Sequence, residues 1–218
     1  LVWDDPTIGL VLEFASRGDL KGVIGNPALN LTWANRKLGL AIDAARGIAY
    51  LHRQKPLPII HRDVKSENVL VTETWLAKLA DFGESREMAF EQEGFDAMTI
   101  VGTPMYIAPE VSSGEEYDEK CDVYSFGVML LEMACVQPGV SGGLSVLFEG
   151  FSPRRIATKI AEGWRPTLPD GVKRHAPPGL IELGEQCMLH DAVERPSMQE
   201  CVKRLYDMSC ALKEAVSY

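Results

Sequence analysis

Cysteine pairs, a basic surplus and long apolar runs are all missing from this chain, and each absence removes a class of function. Lysine and arginine total 22 against 31 aspartates and glutamates, a formal charge of −9. The basic footprint that nucleic-acid binding needs is therefore not there, and no nucleic-acid partner is expected. The five cysteines stand at 121, 135, 187, 201 and 210. They are odd in number, widely spaced and without a Cys-x-x-Cys pair, which favours neither a disulfide framework nor a zinc site. Cys121, Cys135 and Cys201 lie in apolar helical runs and read as reduced core thiols, which points to a cytoplasmic location and leaves a membrane-anchored parent receptor open. The most apolar run, residues 123–136, falls short of the ~20 residues a membrane span requires and carries Glu132. No signal peptide is visible either, so no membrane segment is expected within the chain. What remains, at 218 residues and 46% hydrophobic, is an ordinary globular domain, one or one and a part. Because the first residue is Leu1, the native N-terminus is expected to lie outside this sequence.

Periodicity then divides the chain. Residues 8–14 are apolar and rich in strand formers, and read as a strand running into a linker. Leu38, Ile42, Ala45 and Ala49 recur at helical spacing, which predicts a helix over 32–52 with Thr32 as its N-cap. Short strands are expected at 57–60, 69–72 and 77–80, and residues 84–107 read as a long loop, of a length that is generally functional. A helix over 120–137 is apolar nearly all round, so it should be buried, with Pro138-Gly139 as its stop. Ser152-Pro153 opens a further helix that Gly163 ends, and Ser197 with Glu200 forms a capping box for the last one. The Gly- and Ser-rich residues 138–151 are the least ordered candidate.

The chemistry sits in the middle. His61-Arg62-Asp63-Val64-Lys65-Ser66-Glu67-Asn68 places an acid, a lysine and an amide at short fixed spacings, and Asp81-Phe82-Gly83 adds a second acid beyond a strand pair. Phosphoryl transfer needs that set. Asp63 can orient an attacking hydroxyl and take its proton, Lys65 can neutralise charge on the transferring phosphate, and Asn68 and Asp81 can supply oxygens to Mg2+. Each piece alone is weak, but the order and separation together are specific.

These residues closely resemble the catalytic half of a eukaryotic protein kinase. Gly102-Thr103-Pro104 and Ala108-Pro109-Glu110 look like the end of an activation segment, Asp122-Val123-Tyr124-Ser125-Phe126-Gly127 like the buried helix of the large lobe, and Arg195-Pro196 like the late arginine that pairs with Glu110. Val64-Lys65-Ser66-Glu67-Asn68 is most similar to the tyrosine-kinase-like group of serine/threonine kinases. The resemblance implies an α+β, protein-kinase-like fold. It would comprise a mainly helical large lobe, a short β-hairpin region around the catalytic loop and remnant small-lobe strands. Its parts would be a remnant of the small-lobe sheet at 1–12, the hinge at 13–20 and the large lobe at 21–218, with the activation segment at 81–110.

The same resemblance implies ATP and Mg2+ as cofactors and serine or threonine hydroxyls of proteins as acceptors. Thr103 would bond Asp63 and Lys65. Leu12 would take the gatekeeper position, Glu13 and Ala15 would offer main-chain groups to adenine, and Leu70 would form the floor beneath it. Asp19 would contact ribose or cap the helix that begins there, two readings that weigh equally. His61 and Phe82 would be stacked core residues anchored by Asp122, with Met129 and Met133 also in the core. Arg62 and Arg86 would cradle a phosphate on Thr99, placed by an upstream kinase or by autophosphorylation, with its charge of about −1.5 to −2. Glu84 departs from the bulky apolar residue usual after Asp-Phe-Gly, which leaves serine versus threonine preference open.

A working kinase also needs a glycine-rich loop over the phosphates and a strand lysine held by a helix glutamate, and none of these occurs in the sequence. The small lobe is thus expected to be largely missing, and this polypeptide alone is expected to transfer no phosphate. Two readings follow: a fragment of an active serine/threonine kinase, or a pseudokinase or interaction scaffold without a small lobe. Retention of Asp63, Lys65, Asn68 and Asp81 together favours the first.

Overall fold

The most apolar stretch of the sequence becomes the axis on which the rest is packed. In the computed structural model, which describes residues 2–4, 7–9, 11–87, 103–137 and 142–216, this stretch is helix α4 (Lys120–Cys135), and every residue from Cys121 to Cys135 is buried. Its numbering follows α1 (Leu20–Gly25), α2 (Leu38–His52) and α3 (Pro109–Ser112). After it come α5 (Leu144–Leu147), α6 (Pro153–Ala161), α7 (Asp170–Lys173), α8 (Leu180–Cys187) and α9 (Met198–Val216).

α4 ends two residues earlier than expected. Its stop is Lys37, whose ammonium donates to the Met133 carbonyl at 3.0 Å and also to that of Val136, where the backbone turns extended. A cation on the last carbonyls of a helix satisfies orphan acceptors and complements the helix dipole. Against α4 lies α8, brought close by two glycines. A Cβ at Gly127 would stand 2.7 Å from the Cys187 Cβ and 2.8 Å from the Gly184 oxygen, and one at Gly184 would stand 2.8 Å from Leu131.

The helix expected over 32–52 forms in two parts. Thr32 and Asn35 make a reciprocal capping box (3.2 and 2.8 Å), the first turn, Trp33–Lys37, is π-helical, and α2 continues from Leu38. α2 packs along α9, whose start carries the Ser197–Glu200 box. Beyond the three predicted core cysteines, Cys187 is buried as well, its sulfur 3.6 Å from that of Cys201, while Cys210 is exposed.

Three antiparallel strand pairs complete the described residues: β1 (Val2–Asp4) with β2 (Thr7–Gly9), β3 (Ile59–Ile60) with β6 (Arg86–Glu87), and β4 (Val69–Val71) with β5 (Ala77–Leu79). The strand expected over 8–14 stops at Gly9, and Leu12 and Phe14 lie in irregular chain, 72% and 84% exposed. β6 interrupts the expected loop over 84–107, because Arg86 finds a backbone partner in Ile60. No described helix is long and apolar enough to cross a membrane.

Candidate functional site

The β4–β5 hairpin explains why two segments separated in sequence meet. Its register pairs Val69 with Leu79, and one step further the Ala80 amide donates to the Asn68 carbonyl at 2.8 Å. Asn68 at the end of one loop and Asp81 at the start of the next are thereby carried to the same edge.

The loop before β4 is fixed from below by α4. Both oxygens of the buried Asp122 carboxylate are engaged: Oδ2 accepts the His61 amide and the His52 imidazole, each at 2.8 Å, and Oδ1 accepts the Arg62 amide at 2.9 Å. Charge-assisted bonds of this kind are about twice as strong as neutral ones. They hold Arg62 at φ 67°, a left-handed conformation that a non-glycine residue adopts at a cost of about 1–3 kcal/mol. Asp81 shows the same strain, with φ 60°. His61 Nε2 lies 3.0 Å from the Ala80 carbonyl and so carries the proton, leaving Nδ1 to accept the Asp63 amide.

Asp63 then points into a ring of donors. Lys65 Nζ lies 2.5 Å from Oδ2, and the Asn68 side-chain amide donates at 2.8 Å to both Oδ2 and the Asp63 carbonyl. Thr103, arriving from the far side of the chain, donates its hydroxyl to Oδ1 at 3.4 Å and accepts from Lys65 at 3.1 Å. With its nitrogen committed to Asp63, Asn68 has Oδ1 left to offer a cation. Asp81 is exposed, and among the described residues it accepts the Gly83 amide at 3.3 Å. An amide oxygen and a carboxylate are too few to enclose a metal, and no group of three or more His, Cys, Asp or Glu side chains able to hold one occurs among the described residues. The pair fits Mg2+, a hard cation that keeps several waters and is bound by one or two carboxylates together with substrate phosphates.

The remaining expected residues fall around this ring with differing fidelity. Arg17 and Gly18 exchange backbone bonds with Val71 (3.1 and 2.8 Å), laying the 13–20 segment along β4 beside Leu70. Leu70 is half-buried. Asp19 caps α1, accepting the Gly22 amide at 2.7 Å. The Ala15 carbonyl already accepts the Gly18 amide at 3.2 Å, and the Glu13 side chain is paired with Lys78. Phe82 packs edge-on to His61 with ring centroids 5.3 Å apart, yet among the described residues it is 51% exposed and not the core residue expected. Arg62 donates to the Glu84 carbonyl and to the Tyr117 hydroxyl (3.3 Å), and Arg86 is exposed on β6 opposite Ile60. Thr99 lies outside the described residues.

Far from the ring, Glu110 and Arg195 form a bidentate pair at 2.6 and 2.7 Å, and the guanidinium also donates to the Leu189, Lys120 and His190 carbonyls. A second buried network had no local signal in the sequence. The Tyr106 hydroxyl donates to Glu132 at 2.6 Å, with the Ser66 hydroxyl 3.2 Å from it, so the loop after Thr103 is tied to both α4 and the 61–68 loop. Burial pushes the Glu132 carboxyl and the Tyr106 phenol above their ordinary values.

Comparison with known proteins agrees with this arrangement. A family profile described as protein kinase domain matches residues 2–206. A probable serine/threonine-protein kinase, drkA, of Dictyostelium discoideum is 39% identical over 201 residues, which is 92% of this chain and 28% of that protein. Its relative drkB is 38% identical over 92% of the chain and 26% of its own length. A receptor-like protein kinase of Arabidopsis thaliana is 39% identical over 91% of the chain and 23% of its own length. The chain thus spans 28% or less of each of these relatives.

Proposed function

The chain belongs to the protein kinase family, and from that premise we propose that the protein transfers the γ-phosphate of ATP to serine and threonine hydroxyls of protein substrates. The observation that carries this reading is the Asp63 carboxylate held between Lys65 Nζ at 2.5 Å and the Thr103 hydroxyl at 3.4 Å. Asp63 orients the acceptor hydroxyl and takes its proton as that oxygen bonds to phosphorus and ADP departs. Lys65 balances charge on the transferring group. Because Lys65 also donates to Thr103, placing the 103–107 segment and assembling the ring are one event.

Asn68 and Asp81 are the residues that would hold Mg2+, whose chemistry is to neutralise charge on the phosphate oxygens. The segment 13–20 and Leu70 would receive adenine, supported by the backbone bonds that lay Arg17 and Gly18 against Val71 and Asp19 beside Leu70. Arg62 and Arg86 would supply positive charge to a phosphate on Thr99.

The test is phosphoamino-acid analysis of a mixed protein substrate incubated with the protein at its native length, ATP and Mg2+. Phosphoserine and phosphothreonine are expected. Phosphotyrosine as the main product would overturn the assignment.

A further inference from the structure

Between α1, the C-terminal end of α4 and α5 lies a cavity of about 660 Å³ that none of the roles above uses. Its volume is that of a ligand-binding cleft. Ile24, Leu31, Met105, Val136 and Leu144 give it an apolar wall. The charged groups that face it are already engaged within the protein. Lys37 is bound to the carbonyls that end α4, and Glu132 accepts the Tyr106 hydroxyl at 2.6 Å. Lys21, half-exposed on α1, sits 2.6 Å from Glu67. The cavity therefore offers apolar surface and no unpaired acid to an occupant.

Two of its neighbours lead in sequence to the phosphotransfer ring: Met105 lines the cavity, and Lys21, also in its lining, is bonded to Glu67. Met105 is two residues past Thr103, so its Cα lies within about 7 Å of the Thr103 Cα, and the same bound ties Glu67 to Lys65. An extended peptide advances about 3.3 Å per residue. A chain whose hydroxyl rests on Asp63 thus reaches the cavity within its nearest few residues.

We propose that this cavity is a specificity subsite that seats one large apolar side chain of the protein substrate within about four residues of the acceptor hydroxyl, and that Lys21, held by Glu67, bars arginine and lysine from its mouth. The inference rests on the phosphotransfer reading of Asp63. Lys21 is the cation that offsets an acidic rim: Glu67, Glu132 and Asp19 all act on it, the bond to Glu67 first, and together they raise its affinity for its proton. A second cation brought to this position would meet like charge, which costs specificity-setting energy at an interface. Removing Lys21 takes away that like charge, and with it the discrimination against a basic side chain.

The experiment is a positional-scanning library of serine- and threonine-containing peptides phosphorylated by the protein at its native length, with Asp63→Asn as the blank. One position within the window is expected to favour Leu or Phe over Ala by about tenfold, the scale on which a hydrophobic pocket discriminates, and to disfavour Arg. Ser145→Trp, placed at the exposed rim, should bring the rate on the apolar peptide down to that on its alanine counterpart, whereas Ser145→Ala should keep the selection. Lys21→Ala should abolish the discrimination against Arg. Absence of apolar selection at every position, or selection unaltered by Ser145→Trp, would overturn the subsite. If the native-length protein labels no peptide at all, the phosphotransfer reading fails separately. The subsite is then judged on binding of the same library with alanine at the acceptor: apolar enrichment that Ser145→Trp removes supports it, and no enrichment overturns it.

Discussion

Arg195 shows how much a single side chain can carry in this fold. It is fully buried, yet each of its three guanidinium nitrogens has a partner: two carboxylate oxygens of Glu110 and three backbone carbonyls. Truncation to alanine strands the largely buried Glu110 carboxylate and takes the donor from three partly buried backbone carbonyls. Breaking a buried pair in this way typically costs about 3–5 kcal/mol. Urea unfolding of Arg195→Ala should show a loss of that order, and Arg195→Lys should restore little, because one ammonium cannot reproduce the planar fork. A loss below about 1 kcal/mol, the scale of an exposed pair, would contradict this. The residues at the phosphotransfer ring were legible in the sequence for a physical reason. Asp63, Lys65 and Asn68 act from one short loop, so their spacing survives as a linear pattern. The Glu110–Arg195 pair, 85 residues apart, was legible only through resemblance. The Tyr106–Glu132 bond was not legible at all, since a tyrosine in a loop and a glutamate in an apolar helix carry no mark of each other.

At the scale of elements, two contacts decide how α4 sits. Its closeness to α8 depends on Gly127, where an added Cβ would fall 2.7 Å from Cys187 Cβ and 2.8 Å from a backbone oxygen. Neither atom is the free end of a flexible side chain, so Gly127→Ala should destabilise by about 1–3 kcal/mol despite the better helix propensity of alanine. An unchanged melting temperature would show that the helices separate freely. The other contact is Lys37, buried at the end of α4, where burial lowers its pKa from 10.5 to about 8. Between those values the unfolded chain binds a proton that the folded one does not, so this group's contribution to stability is least favourable below pH 8 and improves as pH rises toward 10.5. The stability difference between wild type and Lys37→Met, measured in urea, should therefore move in favour of wild type across that window. A difference independent of pH would contradict it. Sequence periodicity placed α4, whose expected stop, Pro138-Gly139, lies outside the described residues, whereas the bond from Lys37, 96 residues away, leaves no local trace.

For the molecule as a whole, the expected protein-kinase fold with a mainly helical large lobe holds, and the open question is what completes the phosphotransfer ring. Leu12, Phe14 and Phe82 are exposed large apolar side chains, and the 218 residues contain neither a glycine-rich phosphate loop nor its strand lysine. Apolar surface of this kind marks an interaction face. The polypeptide of these residues alone should self-associate on concentration, visible in sedimentation velocity, and should transfer no phosphate above background. A monodisperse monomer that phosphorylates a generic basic protein would contradict both statements. The most direct test of the central claim is single-turnover phosphate transfer by the native-length protein and its Asp63→Asn variant, with ATP binding measured alongside. Loss of transfer by about 10²–10⁴-fold with ATP affinity preserved is the outcome that a proton-accepting Asp63 requires. Transfer at an undiminished rate in Asp63→Asn would contradict it.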